Sequence, residues 1–352
     1  MSRVQTAFEV VRDHIGRPGL FLMIALILWC GWIVIASLLS QYPFDVRSPY
    51  LVSTVGLFVG GVVGSFLRTR WLRGGGISFL VVLLGVTAVS LPIYANASAA
   101  VGGLFVALAG LATHDVRTKW QETPPNSSGT TNAKYRARWQ AIVVALTLLI
   151  GVHLALGSQA AIVLTFPVLV TAVLAVWEQT GLSKRSLIIA CVLLVVVAAC
   201  VVVFLGSRNT WPGWLADSGS LSGARHTLWS DALSLWATQP LIGAGPGAFT
   251  PSSELASEVP SLASVHSLPL QVGSELGLVG IVLLGALLVG GLLFAARGSR
   301  PVALIATAAW TALAVHSTID HLEDFPVVAL MGGVILGWSG FRTRTSRAFR
   351  VL

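Results

Sequence analysis

Long apolar runs separated by short basic or polar breaks dominate the chain. A helix needs about 20 apolar residues to cross a hydrocarbon core about 30 Å thick. Stretches approaching that length fall at 20–40, 50–67, 77–95, 97–113, 141–157, 160–177, 187–206, 269–296, 302–319 and 325–341. A transmembrane β-barrel would show segments of about ten residues alternating in polarity instead. The pattern therefore predicts an all-α, polytopic integral membrane protein with about ten transmembrane helices. Only a turn near Asn96 divides the third span from the fourth, and only Gly157-Ser158-Gln159 divides the fifth from the sixth.

The polar breaks set the domain organisation. Residues 1–206 hold seven predicted helices with a Pro- and Gly-bearing linker at 114–140. Residues 207–268 form the one sizeable polar segment. Residues 269–341 hold the last three helices, and 342–352 form a basic tail. The apolar run after Arg17 is of spanning length and lacks a small-residue cleavage site, so it reads as a helix rather than a cleaved signal.

Composition agrees with lipid as the solvent. Charged residues make up 10%, hydrophobic residues 55%, and mean hydropathy is +0.82. The net charge of +8 would suggest nucleic acid if it were clustered on one soluble face. It is not. Of the 22 Lys and Arg residues, 19 fall at the termini and in alternate loops, which leaves Arg47, Arg208 and Arg225 on the other side. Cytoplasmic loops carry the excess of Lys and Arg. Both termini are therefore expected in the cytoplasm and the 207–268 loop on the outer face. The basic ends are expected to meet anionic headgroups, with membrane lipids and no nucleic acid as partners. Cys30, Cys191 and Cys200 all sit in apolar runs without metal-ligand spacing and read as buried small hydrophobes.

The polar loop carries the chemistry. Residues 224–239 place Leu228, Trp229, Ala232, Leu235 and Trp236 on one helical face, and Pro240 ends that helix. Two Trp residues on the stripe suggest a short amphipathic helix at the membrane surface, or one packed on the bundle. Gly243, Gly245 and Gly247 follow. Such a run can bring backbone N–H groups to a phosphate, but without a following Gly-Lys-Ser/Thr a tight turn is the simpler reading. His266 stands just before the eighth span and Glu275 at its mouth. His316 and Asp320, four apart at the end of the ninth span, are expected to share a helical face. His321, Glu323 and Asp324 read as a solvated turn. Ionisable residues in or beside spans are functional candidates.

These residues together resemble the O-antigen ligase and polymerase superfamily. Arg225, Trp229, Ala232 and Pro240, then Gly243-x-Gly245-x-Gly247-x-Phe249, look like its outer loop. His266-Ser267, nine residues, Gly277, two residues and Gly280 match its pattern H-[NSQ]-x9-G-x-x-[GTY]. His316 and Asp320 resemble its later His/Asp region. The resemblance covers roughly residues 150 to 340.

It implies a bacterial cytoplasmic (inner) membrane glycosyltransferase that needs no metal or other cofactor. The donor would be a glycan on undecaprenyl or another polyprenyl diphosphate. The acceptor would be lipid A–core of lipopolysaccharide in a ligase, or another glycan in a polymerase. His266 would be the base and Arg225, with Arg208, would hold the diphosphate. Glu275, His316 and Asp320 would support them. The chain departs from the family at Gln159, where an Arg thought to bind the diphosphate is often found. Either Arg208 or another group substitutes, or donor binding differs, or transfer has been lost. A lipid or solute flippase and a non-catalytic envelope scaffold are the alternatives. The near absence of charge at mid-span depth counts against the flippase.

Overall fold

A computed structural model describes residues 3–341, except 43, 73–79, 81–82, 86, 88–93, 122–129, 177–182 and 217–221. Among the described residues, the apolar runs fold as helices. They are α1 (Arg3–Leu39), α2 (Pro49–Leu72), α3 (Ala95–Gln121), α4 (Thr130–Ala155), α5 (Gln159–Val176) and α6 (Lys184–Gly206). After α7 (Ser222–Thr238) in the polar loop come α8 (Leu268–Ala295), α9 (Arg300–Thr318) and α10 (Pro326–Gly340). Among the described residues, seven helices are long and apolar enough to cross a membrane; α5 and α10 are apolar but shorter. The third predicted span, 77–95, lies largely outside the described residues, as do the middle of the 114–140 linker and the tail at 342–352. The protein is an all-α, polytopic membrane protein.

Burial separates central helices from peripheral ones. In α3, 78% of the spanning window is buried, against 11% in α6. Hence α3 and α9 form the middle of the bundle. Exposed Leu193, Leu194 and Val197 of α6, like Ile27 and Leu38 of α1, form an apolar outside that only lipid can solvate. Cys200 lies on that exposed face rather than in the core, whereas Cys191 is buried.

In lipid, helices associate through close packing of small residues rather than through water exclusion. The contact of α2 with α10 shows this. A Cβ at Gly60 or Gly64 would run into the backbone of Leu330 or Val334, and one at Gly337 into the backbone of Gly61. At the opposite end from the polar loop, Arg68 of α2 pairs with Asp115 of α3 at 2.9 Å, and the Trp338 indole of α10 donates to the same carboxylate at 3.0 Å.

The polar loop folds onto the bundle. Leu228, Trp229 and Ala232 of α7 are buried against Val202, Phe249, Val265 and Leu270. Of the two positions expected for this helix, the structure shows the packed one. Short helical turns at Phe249–Ser252, Glu254–Glu258 and Pro260–Leu262 lead the chain back to His266 and α8.

Candidate active site

Three separate segments converge at the loop end of the bundle. Arg225 comes from the first turn of α7, His266 from the residues just before α8, and Asp320 from the turn after α9. His266 Nδ1 lies 3.4 Å from Asp320 Oδ1, and the Arg225 guanidinium lies 3.8 Å from Oδ2. His266 and Asp320 are 2% and 1% exposed, so both are screened from bulk solvent.

Asp320 is the hub. The Tyr94 hydroxyl donates to Oδ1 at 2.8 Å, Asn96 Nδ2 to Oδ2 at 2.5 Å, and the His321 backbone N–H to Oδ1 at 2.9 Å. Burial alone would favour the protonated acid, but the hydrogen bonds from His266, His321 and Tyr94 outweigh it and hold the carboxyl far below the usual carboxylate range. Asp320 is an anion. Burial pushes the His266 imidazole below its ordinary pKa more strongly than the Asp320 hydrogen bond raises it. His266 is therefore neutral at pH 7, with Nδ1–H directed to Asp320 and Nε2 left as a lone pair.

That Nε2 is buried and has no hydrogen-bond partner, and the same holds for the neighbouring Ser267 Oγ and for Arg225 Nε. Buried polar atoms are almost always paired. Three orphans on two segments that meet at the Asp320 cluster mark a place built to receive polar groups. His266 also has φ of 57°. A left-handed backbone is uncommon outside Gly, and such outliers cluster at functional sites.

Several expectations change here. His316 and Asp320 do not share a helical face, because α9 ends at Thr318 and Asp320 lies in the turn beyond it. His316 is buried in the bundle, with Nε2 unpartnered, beside Thr165 and Gly103. The turn at 321–324 is mostly turned into the protein, with Asp324 part-exposed. The His321 ring is 4.1 Å from that of His266 and 4.8 Å from that of Tyr94, centroid to centroid, and both Glu323 carboxyl oxygens are buried.

The Gly turn does not present its N–H groups to a ligand. Gly243 N–H donates to Gln239, Ala244 N–H to the Ser274 carbonyl at 2.9 Å, and Gly245 N–H to the Glu275 carbonyl at 2.8 Å. Glu275 takes Tyr50 Oη at 2.8 Å, Gln271 Nε2 at 2.8 Å and the Phe249 N–H at 3.2 Å. Turn and carboxylate together fasten the loop to α8. The fastening needs Gly277, whose φ of 67° kinks α8 and whose missing Cβ leaves room for the backbone of Leu241 and Gly243.

Arg208 stacks over Phe204 at 4.7 Å, and among the described residues no bond joins it to the Asp320 cluster. Gln159 opens α5 and is exposed. Arg225 is thus the guanidinium that the fold brings to the cluster. Tyr94 is a site residue the sequence does not single out, and Asn96 and His321 are named there only as turn residues. Tyr94 and Asn96 sit in a stretch read only as a helix-dividing turn, where a polar pair beside apolar spans was the one available signal.

His266, Asp320 and His321 offer ligand atoms within 4.8 Å of one another. They fit a cation poorly. The Asp320 oxygens already accept from Tyr94, Asn96 and a backbone N–H, and Arg225 adds positive charge beside them.

Residues 143–285 match the family model described as O-antigen ligase. The segment ends just past Gly277 and Gly280, so it includes Arg225, the Gly turn and His266 of the O-antigen ligase pattern, and Glu275 between His266 and Gly277, while Asp320 falls outside it. The match supports the superfamily resemblance and, broadly, a glycan-transferring role in a membrane. No curated protein matches the chain.

Proposed function

We propose that the chain moves a glycan from a polyprenyl diphosphate to an acceptor hydroxyl at the outer face of the bacterial cytoplasmic membrane. The observation that carries this reading is the buried His266 Nε2, unpartnered, beside an Arg225 guanidinium whose Nε is also free. A neutral imidazole fixed in one tautomer is a base for a hydroxyl proton. A guanidinium with donors to spare is a partner for a leaving diphosphate.

The step balances with these groups alone. The acceptor hydroxyl gives its proton to His266 Nε2 as its oxygen bonds to the anomeric carbon. The bond from that carbon to the diphosphate oxygen breaks, and the charge passes to the diphosphate facing Arg225. Asp320 is a positioning residue that fixes the His266 tautomer and stabilises the imidazolium, as an aspartate does in a Ser-His-Asp triad. Attack opposite the leaving group inverts the anomeric centre. This uses no metal, and a single guanidinium takes the diphosphate in place of the charge missing at Gln159. The bias of Lys and Arg toward the other end supports the outward-facing site.

The test is glycan transfer in vesicles or nanodiscs carrying the purified chain, a polyprenyl diphosphate-linked glycan and a lipid or glycan acceptor. Loss of transfer in His266→Ala and Arg225→Ala, with normal insertion, is expected. Full transfer by both variants would end the reading.

A further inference from the structure

A cavity of about 310 Å³ lies beneath the candidate site and is separate from the Asp320 cluster. Two of the segments that carry the cluster, those of His266 and of Asp320, also roof it. Leu268 and Pro269 follow His266, Ser317 and Thr318 follow His316, and Leu322 and Glu323 follow Asp320 and His321. Its floor is Leu26 of α1, Leu57 of α2, Leu284 and Leu288 of α8 and Trp310 of α9. From Thr318 to Trp310 is eight residues, or about 12 Å along a helix. Val196 of α6, another wall residue, is 51% exposed, so the wall reaches the lipid-facing side of the bundle.

The cavity is polar at one end and hydrocarbon at the other, and the polar end carries one unmet demand. Ser53 Oγ donates to the Glu323 carbonyl, Thr54 to Tyr50, Ser317 to Leu313 and Thr318 to Val315. Tyr50 is taken by Glu275. The Glu323 carboxyl, also in the wall, has both oxygens buried and no partner. A lone carboxyl in such surroundings stays protonated rather than ionise. Burial, then the charge of Asp324, accordingly push Glu323 well above the usual carboxylate range. It is a hydrogen-bond donor waiting for an acceptor oxygen.

The occupant that satisfies both ends has an oxygen-bearing head joined directly to a branched hydrocarbon. Resting on the function proposed above, we propose that this chamber holds the first isoprene units of the lipid-linked donor and that the Glu323 carboxyl donates to an oxygen of its phosphate head. An apolar cavity of about 150 Å³ takes one benzene ring, so this one has room for roughly twelve carbons, or about two isoprene units. The walls that hold the chain are continuous with the segments holding His266 and Asp320. A chain seated here has its head at the candidate site and its remaining length leaving past α6 into lipid.

Two variants test this. An added Cβ at Gly285, a wall residue on α8, meets nothing within 4 Å, so Gly285→Phe fills the chamber without breaking the helix packing. The probe is a long-chain polyprenyl phosphate with a photoreactive group on its second isoprene unit, used with the full chain in nanodiscs. Crosslinks are expected in α8 and α9 peptides, and Gly285→Phe should reduce them about tenfold, the scale of losing a few buried methylenes. In the transfer assay Gly285→Phe should raise KM for a long-chain donor and leave kcat, and a one-isoprene donor, unaffected. Glu323→Gln keeps a donor and should bind as the parent does. Glu323→Leu should weaken binding about tenfold, as one unmet hydrogen bond in an apolar site does. Crosslinks elsewhere, equal competition by ordinary phospholipid, or no dependence on chain length would overturn the proposal. Crosslinks as expected without any transfer would leave the chamber standing and remove the function it rests on.

Discussion

Two Arg–Asp pairs, each with a buried carboxylate and a part-exposed guanidinium, sit at opposite ends of this bundle, and they are built to different standards. Arg68 faces Asp115 with Nε at 2.9 Å and Nη2 at 3.4 Å, spends Nη1 on the Trp338 carbonyl, and shares the carboxylate with the Trp338 indole. That pair is closed on itself and ties α2, α3 and α10 together. Arg225 approaches Asp320 only to 3.8 Å, keeps a buried Nε free, and has beside it a histidine with a free ring nitrogen. A buried charge is tolerated when paired and hydrogen-bonded. The first pair meets that condition from within the protein. In the second, the anion is satisfied and the cation and base are not, which is how a site looks when its remaining partners come with the substrate.

If the open pair is catalytic, its removal strikes rate and not fold. His266→Ala should lower kcat about 10²–10⁴-fold, the usual contribution of a positioned base, with unchanged helicity and detergent-extracted yield. Arg225→Lys keeps the charge but not the planar fork. It should lose about tenfold in rate, less than Arg225→Ala, and a lysine variant as active as the parent would mean that the diphosphate is not held by a fork there.

Breaking the closed pair should do the reverse. Arg68→Ala leaves Asp115 buried without its cation, a defect of about 3–5 kcal/mol. Reduced folded yield and a lower unfolding temperature are expected, with transfer per folded molecule within about twofold of the parent. A mutant that folds normally and fails to transfer would erase the distinction between the two pairs.

The comparison also shows what could be read before the fold was known. The bundle was legible because lipid imposes a length and polarity rule on each helix separately. Arg225 and His266 were legible as scarce polar residues in a motif with fixed spacing. Asp320 was singled out for the wrong neighbour, since the helix that would have aligned it with His316 stops two residues earlier. Tyr94, Asn96 and His321 could not be linked to His266, because their relation is made by three chain segments meeting in space. The burial of Glu323 was hidden for the same reason: nothing local distinguishes a turn covered by α2 from one facing water.

The state of His266 gives a smaller effect with a definite sign. The imidazole is faced by Asp320, His321, Arg225 and the Tyr94 ring, and burial holds its pKa below the ordinary histidine value of about 6.5. The base is the deprotonated form, and a lowered pKa extends that form to more acidic pH. The rate should therefore rise through a midpoint below about 6.5 and be flat across pH 7 to 8. A midpoint above 7 would mean that Asp320 dominates and that the resting imidazole is charged.

The smallest expected effect is none. The His266, Asp320 and His321 ligand atoms lie close enough together to invite a divalent ion, and a chelator asks whether the open pair is completed by metal or by substrate. An ion would have to take lone pairs of Asp320 already given to Tyr94, Asn96 and a backbone N–H, and would sit beside the Arg225 guanidinium. Positive charge is already supplied there, and only an anion relieves it. Prolonged chelation should therefore leave transfer unchanged, and added zinc should inhibit by occupying His266. A chelated enzyme that loses activity and regains it with a stoichiometric divalent ion would reassign His266 from base to ligand and turn the open pair into half of a metal centre.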